Sequence, residues 1–364
     1  MSSGPGVPSG AEGRLGAWIA TQLPDADEVT VEDLDRASLG HSAETLLFTV
    51  VVRRGETIER EAVVARLCPP DPGLLPPYDL GRQFRILRAL EGTPVRAPRA
   101  LWYEPTATVL GRELYVMERI DGKVYEQGIP RELRAEPPRV RRICEGFIDQ
   151  LAAIHAVDLS ATGLGALGDG RDYLDRELVH WHGEVERVRR APLPAFDRLH
   201  EALRASQPET TVATLVHGDA KPGNYAFVDD EVVAVFDWEM ATVGDPLADV
   251  GWAEILWNLG QSITNVPGAP TADEFVSRWQ ERTGLDARHR PWYRAFQSYK
   301  MCAIQLVAGR LFDDGYTDDT RFAYMTYAIE PMLTAALGDL GIDEPVETGP
   351  VIADIERLAT PRPE

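Results

Sequence analysis

Runs of apolar, β-branched residues mark the first third of the chain, and apolar stripes of helical period mark the rest. Thr45 to Val52 and Glu61 to Leu67 are strand-like, and the Arg54-Gly55 turn between them predicts a hairpin. A proline-rich loop follows from Pro69 to Pro77, where helix is disfavoured. Leu80 to Leu90 places Phe84, Leu87 and Leu90 at helical spacing, and Tyr115 to Glu118 is a short strand ended by Asp121-Gly122. Beyond it, Ile143, Phe147, Leu151 and Ile154 form one stripe and predict a helix over 139–157. Further helices are expected over 172–190, 246–259, 272–281, 292–311 and 320–337, with a strand-loop-strand unit at about 213–238. The pattern is α+β: a lead with a short helix over 14–22 (residues 1–30), a β-rich lobe (31–120), a mainly helical lobe (121–342) and a loose tail rich in proline and charge (343–364).

Composition narrows the function classes. A hydrophobic content of 44% and a charged content of 26% are ordinary for a globular protein. The net charge of −21 is not, and it argues against nucleic acid or an anionic membrane as partner. Cys68, Cys144 and Cys302 are far apart with no C-x-x-C pair, so a disulfide framework or structural zinc site is not expected and a reducing cytoplasm fits. No apolar run reaches the roughly 18 residues of a membrane span. The Ser-, Gly- and Pro-rich start, 1–13, lacks the basic and apolar regions of a signal peptide. The oligomeric state is not legible.

The chemistry concentrates in Leu215-Val-His-Gly-Asp-Ala-Lys-Pro-Gly-Asn224, followed by Val235-Phe-Asp-Trp-Glu239 and Gly244-Asp-Pro-Leu-Ala-Asp249. Asp219 precedes Asn224 by five positions, and Asp237 follows thirteen later at the end of an apolar run. A kinase catalytic loop and metal-binding strand end use this spacing: an aspartate takes the hydroxyl proton, and an asparagine and a second aspartate give hard oxygen ligands to Mg²⁺. A polar turn capped by Asp and Asn would also show a lone D-x4-N. The strand-like residues before Asp219 and before Asp237, and the acidic cluster after them, favour the catalytic reading.

These motifs, with Arg66-Leu-Cys-Pro-Pro, Phe84-Arg-Ile-Leu and Tyr115-Val-Met-Glu-Arg-Ile-Asp-Gly122, resemble the aminoglycoside phosphotransferase superfamily of small-molecule kinases, and within it the branch that includes kinase-like domains fused to acyl-CoA dehydrogenases. The likeness runs from about residue 35 to about 335. It implies a two-lobed protein-kinase-like fold with nucleotide between the lobes and substrate helices in the second. It implies Asp219 as base, Lys221 on the γ-phosphate, Asn224 and Asp237 on Mg²⁺, and His217 and Asp249 as supports of the loop. Arg66 takes the place of the phosphate-binding lysine. Ser42, within Gly40-His-Ser-Ala-Glu-Thr45, lies in the phosphate-covering loop, and Met117, Glu118 and Ile120 lie in the hinge that binds adenine. Gln83 stands where the partner glutamate is expected; it can hydrogen-bond Arg66 but not form an ion pair.

The implied activity is transfer of phosphate from ATP or GTP to a hydroxyl of a small molecule. A pseudokinase or scaffold stays open because of Gln83, and a protein kinase is disfavoured by the short segment after Asp237. The acceptor is not legible: an antibiotic or a metabolic alcohol fits equally. His180-Trp-His182 is not read as a metal site, since neighbouring positions on a helix face different ways. His155 is read as a satisfied buried histidine. The run Asp313, Asp314, Asp318 and Asp319 is read as a solvated acidic loop rather than a contact for a cationic substrate.

Overall fold

The computed structural model describes residues 9–36, 44–69, 71–126, 128–257, 259–260 and 262–356. They form two compact units, one of Met1–Lys123 with Val233–Glu239, the other of Val124–Val232 with Met240–Glu364.

The first unit is built on α1 (Ala11–Gln22), β1 (Glu28–Arg36), β2 (Glu44–Arg54), β3 (Thr57–Leu67), α2 (Leu80–Leu90), β4 (Ala100–Glu104) and β5 (Leu114–Glu118). Its antiparallel sheet has the order β1-β2-β3-β5-β4. The expected hairpin is β2–β3, in register from Glu44↔Leu67 to Arg54↔Thr57. Gly55, at φ 59°, makes the turn, a conformation in which a side chain is strained. Leu46, Phe48, Val50 and Val52 alternate onto one buried face, where they join Leu15 and Ile19 of α1. Helix α1 starts at Ala11 rather than Arg14 because Ala11 is itself part of this core. Asp79 caps α2 by accepting a hydrogen bond from the Arg82 N–H, and α2 buries Gln83, Ile86, Leu87 and Leu90.

The second unit opens at the end of the two-residue β6 (Lys123–Val124). It continues through α3 (Arg131–Arg134), α4 (Pro137–His155), α5 (Tyr173–Val188), α6 (Pro194–Ala205), β7 (Thr214–Val216), β8 (Tyr225–Val228) and β9 (Glu231–Val235). The last residues of β9 belong to the first unit. Then come β10 (Thr242–Gly244), α7 (Leu247–Leu256), α8 (Ala272–Thr283), α9 (Arg290–Asp313), α10 (Thr320–Met325) and α11 (Ile329–Asp339). Helix α9 is central, with α5, α6, α7, α10 and α11 packed on it, and almost every residue from Trp292 to Phe312 is buried. Thr271 and Glu274 form a capping box at the start of α8. The stripe of α4 is buried as its period predicts, with Ile143, Phe147, Leu151 and Ile154 inside.

Two expectations change. The helix expected over 320–337 is two helices, α10 and α11, with a 3₁₀ turn at Thr326–Ala328 between them. Pro331 lacks an N–H and its ring would strike the preceding turn, so it fits the first turn of a new helix and not the interior of a long one. The tail expected to be loose is mostly exposed over 343–356 but is anchored at two points. Val351 and Ala353 are buried, the Ala353 N–H donates to the Thr326 hydroxyl at 3.1 Å, and the Pro350 carbonyl accepts from Arg310 at 2.8 Å. Among the described residues no helix is long and apolar enough to cross a membrane.

Candidate active site

In the second unit, pairing of β7 with β10 fixes the start of the loop at His217, with Val216 opposite Thr242. The backbone then turns through Gly218 at φ 85°. A Cβ there would lie 2.4 Å from the Met240 carbonyl oxygen, so only glycine fits. Asp249, wholly buried in the first turn of α7, receives hydrogen bonds from the His217 N–H at 2.7 Å and the Gly218 N–H at 2.8 Å. His155 Nε2 lies 3.0 Å from the same carboxylate. The Trp279 indole, which can only donate, gives its proton to His155 Nδ1 at 2.9 Å. His155 Nε2 therefore carries the proton and donates to Asp249. Burial opposes the charge on Asp249, but the His155 hydrogen bond, the two histidines nearby and the loop N–H hold its carboxyl below the ordinary range.

Asp219, Lys221 and Asn224 come together on this support. The Asp219 N–H donates to His217 Nδ1 at 3.2 Å. One carboxylate oxygen of Asp219 accepts from the Trp252 indole at 2.7 Å and the other from the Asn224 amide at 2.8 Å. The same amide nitrogen donates to the Asp219 carbonyl at 2.8 Å, so both of its hydrogens are used within the loop. Lys221 Nζ is 3.1 Å from Glu126 and 3.5 Å from Asp219. Burial pushes the Asp219 carboxyl up, but Lys221, Asn224, His217 and Trp252 outweigh it and keep the group below its ordinary value.

The first unit carries a second cluster. Asp237 follows β9 at φ 65°, a left-handed conformation that aspartate tolerates and that costs backbone energy. Its carboxylate accepts from Arg66 at 3.1 Å, and Glu239 lies 3.8 Å from the same guanidinium. Burial opposes the charge on Arg66, but Asp237, Tyr115 and Glu239 overcome it and keep the guanidinium protonated. Gln83 does not reach Arg66; its amide oxygen accepts from the buried Tyr115 hydroxyl at 3.2 Å. Burial pushes that phenol up to about 12, so it stays a donor. The acid expected on α2 is thus replaced by Asp237, which lies 171 residues after Arg66, and by Glu239.

Met117 and Glu118 lie on β5 opposite Val64 and Val63, and the N–H groups of Glu118 and Arg119 are already used by Arg99 and Ala62. Among the described residues the next N–H, that of Ile120, has no hydrogen-bond partner. Ser42 lies outside the described residues. Glu126, Trp252, Lys300 and Glu239 were not assigned to the site from sequence. Trp252 could be singled out there only as a residue after the acidic cluster.

Among the described residues no group of three or more His, Cys, Asp or Glu side chains is arranged to hold a metal ion alone. Asn224 in the second unit and Asp237 in the first each carry a side-chain oxygen of the kind hard cations prefer.

Comparison with known proteins agrees with this geometry. Residues 33–296 match the model of the phosphotransferase enzyme family. Acyl-CoA dehydrogenase family member 11 of Rattus norvegicus is 29% identical over 259 residues, which are 67% of this chain and 33% of that protein, so the chain spans about a third of its relative. A solved structure from Ralstonia eutropha, described as a candidate aminoglycoside phosphotransferase, superposes with TM-score 0.73 at 23% identity over 90% of this chain and 98% of that one. The aminoglycoside phosphotransferase APH(4)-Ia, solved with ADP and hygromycin B, gives TM-score 0.56 at 18% identity over 88% and 98%. The fold is the α+β, kinase-like fold expected from sequence, and the chain belongs to the phosphotransferase enzyme family.

Proposed function

We propose that the protein transfers the terminal phosphoryl group of ATP to a hydroxyl of a small molecule. One observation carries this most: Asp219 is held by Trp252, Asn224 and the Asp249-braced backbone in an ionised form with a defined direction. A group so fixed can take the acceptor's hydroxyl proton as the oxygen attacks the γ-phosphorus and the bond to the ADP leaving oxygen breaks. Lys221 meets the transferred phosphoryl, and Arg66 meets the nucleotide phosphates with its planar fork. Mg²⁺, held by Asn224 and Asp237, would neutralise the charge on the phosphates. Adenine would accept a hydrogen bond from the Ile120 N–H. The ADP in the APH(4)-Ia complex supports an adenine nucleotide, and hygromycin B there supports a polyhydroxylated acceptor as one class to screen. GTP is the alternative donor.

Asp237→Ala provides the test. Titration calorimetry should show Mg-ATP affinity reduced at least about tenfold, the scale of one lost charged contact, with Mg-GTP run beside it. Unchanged Mg-ATP affinity would place the metal elsewhere. Nucleotide binding without transfer is the second reading, favoured by Gln83, which leaves α2 without the expected carboxylate.

A further inference from the structure

Lys300, in the middle of α9, is 2% exposed. Its ammonium lies 3.5 Å from the Gly218 carbonyl and 3.7 Å from Glu177, both long contacts for a group with three protons. The ring centres of Trp252 and Trp181 are 5.2 and 5.5 Å away, within cation–π range. Glu177 in turn accepts from the Trp181 indole at 2.9 Å. Glu177 is partly exposed and keeps the Trp181 indole as its donor, so its contact with Lys300 does not by itself call for a cation here.

What the cation does touch is the machinery that aims Asp219. Trp252 donates to Asp219 at 2.7 Å, and a positive charge over the indole face draws electron density from the ring and makes its N–H a stronger donor. The same charge fixes the plane of the ring. A second route runs through the backbone: the Gly218 carbonyl belongs to the residue that must turn at φ 85° immediately before Asp219. Glu177 balances the charge from α5, where it accepts from the Trp181 indole.

We propose that Lys300 is a positioning residue that fixes the carboxylate of Asp219 through the Trp252 indole and the Gly218 carbonyl. The idea rests on the assignment of Asp219 as base, but its structural half can be read without turnover. In enzyme labelled with ¹⁵N at tryptophan, the Trp252 indole signal is identified as the one lost in Trp252→Phe. Lys300→Met should move that indole proton upfield and speed its exchange with solvent, and Lys300→Arg should restore most of the shift. In the same variants, hydrolysis of Mg-ATP with water as acceptor should show kcat lowered about 10- to 100-fold, the cost of a misplaced catalytic group. The nucleotide KM should stay within about twofold, since on this account Lys300 does not touch the nucleotide. Trp252→Phe should reproduce the loss, and the double variant should lose little more than either single one. Lys300→Met with an unmoved indole signal and normal kcat overturns the proposal, as does strict additivity with Trp252→Phe. If Lys300→Met does not fold, Trp252→Phe decides: a lowered kcat with normal KM supports it and a normal kcat overturns it. Wild-type enzyme that turns over no ATP even with a pool of hydroxyl compounds, yet shows the indole response, counts against the assignment of Asp219 and leaves the positioning contact intact.

Discussion

Removing the Asp249 carboxylate should be among the costliest single changes in the second unit. Asp249 is wholly buried and accepts from two loop N–H groups at 2.7 and 2.8 Å and from His155 at 3.0 Å. Asp249→Ala leaves all three donors in a site closed to water. A buried donor left unpaired costs about 1–3 kcal/mol, and the change leaves three such donors, all of them neutral. These overlap, so about 3–5 kcal/mol is expected for the whole. With a urea m-value of about 3 kcal/mol/M, the unfolding midpoint should fall by roughly 1–1.7 M. Asp249→Asn keeps the volume but turns an N–H₂ toward donors, so it should recover little. A second readout is pH. The folded carboxyl lies below its ordinary value of 3.8, so its contribution is present above that value and is lost as pH falls through the folded one. The gap between wild type and Asp249→Ala should therefore narrow below about pH 4. A midpoint within about 0.2 M of wild type at neutral pH would refute the bracing role, since that change corresponds to under 1 kcal/mol.

Arg66→Ala should raise the nucleotide KM about tenfold or more and lower kcat, the scale of one charge-assisted contact to phosphate; unaltered kinetics would mean another basic residue holds the phosphates. Gln83→Glu should give no gain in turnover and a loss of about 1–3 kcal/mol in urea unfolding, because Arg66 is already neutralised by Asp237 and Glu239; a rise in kcat would show that the missing acid limits the enzyme. Gly218→Ala should shift the loop and cost about 1–3 kcal/mol, since its Cβ meets a backbone oxygen at 2.4 Å; a fully active, stable variant would contradict that.

The loop that carries Asp219 was legible because its residues are close in sequence. Asp219, Lys221 and Asn224 fall within one short turn, so spacing alone brings them together. Helix α4 was legible because one face is apolar and the other polar. Helix α9 hid its role for the opposite reason: it is buried on every side, so no stripe marks which face carries Lys300. Strand β1 is mostly exposed, with a bulge between Glu32 and Asp35, and shows little apolar signal. Helix α6 did carry a stripe of Phe196, Leu199 and Leu203 that could have been read. The partners of Arg66 could not be read, because Asp237 and Glu239 reach it only through the tertiary fold. His155 is satisfied on both ring nitrogens, as its place in an apolar stripe suggested.

Phosphoryl transfer itself is the most direct test. Wild-type protein and Asp219→Asn are incubated with Mg-ATP and a pool of hydroxyl compounds, and new phosphomonoesters are followed by ³¹P NMR. The account predicts a phosphomonoester formed in step with ADP by the wild type. It predicts a rate lower by about 10²-fold or more in Asp219→Asn, with Mg-ATP affinity retained. An Asp219→Asn enzyme that forms the same product at the wild-type rate would contradict it.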